Sequence, residues 1–134
     1  MSRRLVVGAI ILDDERRVLA ARRSRPPHLR HQGDCPGGKV EPGESPQEAL
    51  VREVREELGC RIQVHAELEN VDGAWPIDDE LELRVWFASL VAGDPVPGDS
   101  HDELSWVTPQ DLDALVWLAA DEPIARTLQQ GLLR

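Results

Sequence analysis

Leu5 to Leu12 is a nearly unbroken apolar run, Leu81, Leu83, Val85 and Phe87 alternate with polar neighbours, and Leu50, Val51, Val54 and Leu58 recur at helical spacing. The first pattern belongs to a strand covered on both faces, the second to a half-buried strand, and the third to a helix with one apolar stripe. Extended along the chain, the same reading predicts strands near 4–12, 17–22, 61–69 and 81–91 and a long loop over 23–36. It then predicts a loop over 94–100, a short strand holding Trp106 and Val107, a helical turn from Thr108 and Pro109, and a closing helix from Ile124 to Leu133.

The central helix has well-marked ends. Ser45 suits the N-cap, Pro46 the first turn, where no amide donor is required, and Glu48 the third position of a capping box; Gly59 supplies the stop. The helix is therefore expected over 46–58. Before it, Pro36, Gly37, Gly38, Pro42 and Gly43 favour a tight, defined loop over a strand or helix.

On that helix Glu53, Glu56 and Glu57 stand at i, i+3 and i+4, and about 100° of rotation per residue places them on one face. Convergent carboxylates repel unless a cation neutralises them. Mg²⁺ suits such a face, because it takes one or two carboxylates together with waters and substrate phosphates. The ordinary alternative is a solvated acidic face with an Arg52–Glu56 ion pair.

Composition narrows the classes. The chain's 134 residues suffice for one domain with a real core, at 41% hydrophobic and 30% charged residues. A net charge of −10 argues against a nucleic-acid polymer or an anionic membrane as partner, and metal-chelated free nucleotides remain compatible. The apolar start runs at once into Asp13, Asp14 and Glu15, which reads as a first strand and not as a signal peptide. Cys35 and Cys60 lack metal-type spacing, and two thiols in such a domain point to a reducing compartment, with the cytoplasm as the expectation.

Gly38, five residues, Glu44, seven residues, Arg52-Glu53, Val54, Arg55, Glu56-Glu57, Leu58, Gly59 resembles the signature of the Nudix hydrolases, with every glycine, glutamate and arginine in register. Cys60 departs from it, standing where an aliphatic residue is usual; a buried Cys behaves as a small hydrophobe. The resemblance covers a box at 38–60 within a single domain over 1–134. It implies an α/β fold, an α/β/α sandwich with a mixed central sheet, and Mg²⁺- or Mn²⁺-dependent hydrolysis of a nucleoside diphosphate joined to another group.

Carried over by position, the resemblance makes Glu53, Glu56 and Glu57 metal ligands, with Gly38 offering its carbonyl, and makes Glu44 and Arg52 braces of loop and helix. It also points to Arg23, then Arg22, as phosphate contacts, with Lys39, Asp34 and Arg84 as further candidates at the substrate. Residues 117–123 are similar to the base-reading stretch of MutT-like members, which gives Asp121 the recognition position, with an N-cap as its alternative role. An ionised Asp only accepts hydrogen bonds, so it favours an amine such as cytosine N4. Gly33, Asp34 and Cys35 replace a common Trp-Glu-Phe and remove two apolar walls. A general base is expected from the loop before the Trp106 strand, where Asp99, Asp102 and His101 compete.

These residues imply a Mg²⁺-dependent pyrophosphohydrolase that converts nucleoside triphosphates to monophosphate and pyrophosphate, leaning to (d)CTP or modified cytidine nucleotides. The alternatives are an 8-oxo-dGTP sanitising enzyme, a hydrolase of ADP-ribose or another nucleoside diphosphate derivative, and a non-catalytic nucleotide sensor. Intact Glu53, Glu56 and Glu57 speak against the sensor. The oligomeric state stays open between monomer and homodimer. Among the tryptophans, Trp106 is expected in the core and Trp75 is left undecided.

Overall fold

The computed structural model describes residues 4–70 and 74–132. In chain order these form β1 (Arg4–Ile11), β2 (Val18–Arg23), a 3₁₀ turn (Pro27–Leu29), β3 (Gly33–Asp34), β4 (Gly37–Lys39), α1 (Pro46–Leu58) and β5 (Arg61–Leu68). They continue with β6 (Trp75–Pro76), β7 (Leu81–Ala92), β8 (His101–Val107), a second 3₁₀ segment (Pro109–Ala114) and α2 (Glu122–Leu132). The closing helix was expected to run on to Leu133, which lies outside the described residues.

A mixed sheet carries the order β4-β1-β7-β5, with β6 also on β7; β1 runs parallel to β7 and antiparallel to β4. A second, antiparallel sheet has the order β3-β2-β8. Alternation along β1 divides the core in two. Val7, Ala9 and Ile11 join Ala49, Leu50, Val54 and Leu58 of α1, whereas Ile10 joins Leu112, Ile124 and Leu128 beneath α2. The expected sandwich around a mixed sheet is present, with the small second sheet added to it.

Helix α1 matches its sequence signals end to end. Ser45 Oγ accepts from the Glu48 N–H at 3.1 Å, Glu48 Oε1 accepts from the Ser45 N–H at 2.9 Å, and Gly59 stops the helix at φ 68°.

Four expectations change. The turn-rich stretch is not all loop, since Gly37–Lys39 pairs with β1; a Cβ on Gly37 would stand 1.9 Å from the Val7 carbonyl oxygen, so only glycine permits that approach. The strand over 81–92 is covered on both faces instead of one, with Leu83 and Val85 in the cluster that includes Ile124 and Leu128 of α2 and Trp86 and Ala88 in the cluster that includes Leu50 and Val54 of α1, because it is a central strand with a helix packed on each side of the sheet. Strand β8 begins at His101, so His101 and Asp102 lie in the second sheet and not in a loop. Trp106 is only half-buried, whereas Trp75 is core, its indole N–H donating to the Leu68 carbonyl at 3.1 Å.

Candidate functional site

Arg52 organises the acidic face of α1. Its Nε and Nη2 donate to both oxygens of Glu44 at 2.7 and 3.0 Å, its Nη1 donates to Glu53 at 3.0 Å and Glu56 at 3.2 Å, and Nη2 also reaches the Lys39 carbonyl. The same guanidinium thus ties the loop before α1 to the helix, which is the bracing expected of Glu44 and Arg52. Its hydrogen bonds hold the Glu44 carboxyl below the usual range.

Two of the three carboxylates on that face share one cation. Glu53 and Glu56 both turn to Arg52, Glu56 is 59% exposed, and among the described residues no three His, Cys, Asp or Glu side chains are gathered to enclose an ion. Like charges repel across a short gap, so a cationic side chain takes the position between them.

The residues nevertheless fit a hard divalent cation. Glu57 Oε2 is buried without a hydrogen-bond partner, and a Cβ on Gly38 would lie 2.4 Å from the Glu53 Cδ, so the bare Gly38 backbone is pressed against that carboxylate. A buried oxygen without a donor, beside a second carboxylate and an accessible backbone, is a hard oxygen donor set. Burial, with the negative charges of Asp34 and Glu53 adding to it, pushes the Glu57 carboxyl up to about 7, against the opposing pull of His101 and the Gly37 N–H.

A second constellation surrounds Asp34. Arg23 Nη1 approaches its Oδ2 at 3.4 Å, and Nε2 of His101, only 3% exposed, lies 3.1 Å from the same oxygen. Asp34 also lies in the electrostatic surroundings of Asp121, whose carboxyl is on a residue only 4% exposed. Burial first, and then the Asp34 charge, hold Asp121 well above the ordinary carboxylate range; the Cys35 N–H and Arg23 oppose the rise. The shift favours the protonated carboxyl, whereas the expectation above took Asp121 as ionised. Its backbone opens α2, the carbonyl accepting from the Ala125 N–H at 2.9 Å.

The remaining candidates separate. Arg22 is half-buried and paired with Asp102 at 2.7 Å and Glu103 at 3.3 Å, which keeps the Asp102 carboxyl low and makes it a weak base. Asp99 is exposed on its loop. His101 is the base candidate that the fold carries to Asp34 and into the field of Glu57. Arg23 sends two N–H groups to the Arg25 carbonyl, which leaves its Nη1 edge toward Asp34. Lys39 is exposed beside Gly38. Arg84 is spent elsewhere: it makes a bidentate pair with Glu67 at 2.6 and 2.8 Å and lies 4.8 Å over the Trp86 ring, so it is not presented to a substrate.

Sequence reasoning missed how Asp121 is placed. Gly33 N–H donates to Val116 O at 2.8 Å, the Leu118 N–H returns to Gly33 O at 2.9 Å, and a Cβ on Gly33 would stand 3.1 Å from the Trp117 ring. The lost aromatic wall is thus what lets Trp117 pack against β3 and brings Asp121 to Asp34. The glycine at 33 was the available signal.

A family model described as the NUDIX domain matches residues 2–128. A Mycobacterium tuberculosis (strain H37Rv) protein named "Putative 8-oxo-dGTP diphosphatase 2" is 38% identical over 128 residues, covering 92% of this chain and 89% of the relative. An Escherichia coli K12 CTP pyrophosphohydrolase is 34% identical over 125 residues, covering 89% and 86%. The solution structure of the E. coli ORF135 protein superposes with a TM-score of 0.78 at 27% identity, covering 97% of this chain and 91% of that one.

Proposed function

Because this chain belongs to the NUDIX family and is an enzyme that hydrolyses pyrophosphate bonds, we propose that it cleaves nucleoside triphosphates to monophosphate and pyrophosphate with Mg²⁺, an oxidised guanine nucleotide being the leading substrate. The observation that carries the base assignment is the burial of Asp121, 4% exposed, where desolvation and the nearby Asp34 hold its carboxyl well above the ordinary range and favour its protonated form. A neutral carboxyl oxygen accepts from a ring N–H without repelling the carbonyl oxygen beside it, as the edge of an oxopurine requires. An ionised Asp121 would instead have favoured the cytosine amine. Cytidine triphosphate is the second reading, supported by the similarity to the CTP pyrophosphohydrolase.

Glu53, Glu57 and the Gly38 carbonyl are the residues that would hold the metal, with Glu56 at the rim. A divalent ion bound there supplies neutralisation of the phosphates and a lowered pKa for the attacking water. Arg52 positions Glu53 and Glu56 from behind and fixes the loop that carries Gly38. Arg23 is placed to pair with a phosphate oxygen once its grip on Asp34, long at 3.4 Å, is released. His101 stands close enough to Glu57 to bias its charge and to take a proton from water at that rim.

The test is a panel of normal, methylated and oxidised nucleoside triphosphates with Mg²⁺, the products being separated by anion exchange and Glu57→Gln serving as control. Preferential release of pyrophosphate from 8-oxo-dGTP that disappears in Glu57→Gln supports the assignment. Preference for CTP reverses the order of the two readings, and turnover of ADP-ribose alone sinks the triphosphate reading.

A further inference from the structure

We propose that Gly98 is a positioning residue for the hydrolysis: it seats the 94–100 loop on the last turn of α1 and so fixes His101 relative to Glu57. This rests on the reading above in which His101 takes a proton from water at the Glu57 rim.

Gly98 touches the main chain on both sides of that relationship. A Cβ on Gly98 would stand 2.4 Å from the Glu57 carbonyl oxygen, and the Gly98 carbonyl accepts from the His101 N–H at 3.3 Å. The seat is wider than this one contact. The Val96 N–H donates to the Leu58 carbonyl at 2.9 Å, meeting a group that the end of a helix leaves without an intrahelical partner, and a Val96 methyl lies over Gly59. At the far end of the loop the Ser24 N–H donates to the Ser100 carbonyl at 3.0 Å, which ties the loop to the residue that follows β2.

The register of the second sheet decides which way the His101 ring points. Ala21 faces Leu104 and Arg22 faces Glu103, but Arg23 faces His101, so Asp102 is the extra residue of a β-bulge. Strict alternation would put His101 on the face of Glu103 and Ser105. The bulge turns it instead to the face of Leu104 and Trp106, which pack on the α1 cluster, and leaves Asp102 outside with Arg22. On that inner face His101 is 3% exposed and its Nε2 lies 3.1 Å from Asp34 Oδ2. The sheet thus aims the ring, and the loop sets its place against α1.

Alanine at 98 would break this seat from the loop side. Leu50, Val54 and Leu58 are fully buried, so the helix holds. The loop must then yield by roughly 1 Å, a shift that can cost about a hundredfold when it reaches a reacting group.

Gly98→Ala is read on the best substrate of the triphosphate panel, beside a thermal melt. Its kcat is expected to fall about ten- to a hundredfold with KM changed less than about twofold, and in a His101→Gln background the same substitution is expected to have almost no further effect. The ¹⁵N imidazole signal of His101, identified by its loss in His101→Gln, is expected to move in Gly98→Ala. Should Gly98→Ala fail to fold, Val96→Ala loosens the same seat and is read in the same way. An unmoved His101 signal, or a loss of the same size with and without His101, would overturn the proposal. Full activity in His101→Gln would overturn it too, while leaving pyrophosphate hydrolysis standing. A wild type that turns over no triphosphate sinks the substrate reading, and the His101 signal then decides whether Gly98 places the ring.

Discussion

Gly38 and Glu53 are packed so closely that any side chain at 38 would overlap the carboxylate: an added Cβ would lie 2.4 Å from Cδ and 2.5 Å from Oε2. Strand β4 is thereby held against the acidic face of α1.

Gly38→Ala should therefore displace Glu53, because β4 is pinned by its pairing with β1 and the flexible glutamate is the group that yields. The expected outcome is a drop in kcat of about a hundredfold or more with a small change in Tm, since a misplacement of this size at a reacting centre is costly. Steady-state kinetics beside a thermal melt check it; full activity in Gly38→Ala would remove Gly38 from the metal site.

Arg52→Lys should behave differently from an ordinary exchange of surface cations. A lysine brings one point charge where the guanidinium now serves Glu44, Glu53, Glu56 and the Lys39 carbonyl together. Catalysis should fall roughly ten- to hundredfold, the range typical of lost support for metal ligands, and the apparent Mg²⁺ requirement should rise. A Mg²⁺ titration of activity would reveal it.

For Glu57 the folded carboxyl sits at about 7 against an ordinary 4.5, so the folded protein binds more protons than the unfolded chain between those values. The stability of the metal-free protein should accordingly be greatest below about pH 4.5 as far as this group is concerned, and decline as pH rises toward 7. Metal must displace that proton, so Mg²⁺ should raise Tm more at pH 8 than at pH 6. Denaturant melts across this range, with Glu57→Gln expected to flatten both trends, provide the measurement.

Leu50→Ala serves as the stability control. The side chain is fully buried between α1 and the mixed sheet, and its truncation should cost about 2–5 kcal/mol. Ser45→Ala, which removes one half of the capping box, should cost about 1 kcal/mol. Both should leave KM near the wild-type value at temperatures where the protein stays folded, which urea melts and kinetics at low temperature would establish.

Much of the architecture was legible in the chain because local rules agreed with one another. The capping box at Ser45 and Glu48, the stop at Gly59 and the stripe of Leu50, Val54 and Leu58 all specify α1, and the unbroken run from Leu5 specifies a strand covered twice. The acidic motif and its brace through Glu44 and Arg52 were readable for the same reason: their partners lie within one loop and one helix.

What only the tertiary structure decided is which distant groups meet. Asp34 and His101 lie 67 positions apart, and Arg84 finds Glu67 only through the register of β5 on β7. Register and crossover depend on the whole sheet, so no local pattern announces them. Charge state follows the same division. Sequence shows that Asp121 and Glu57 are acids, but whether they are ionised depends on burial and on neighbours brought from other elements, and these raise both.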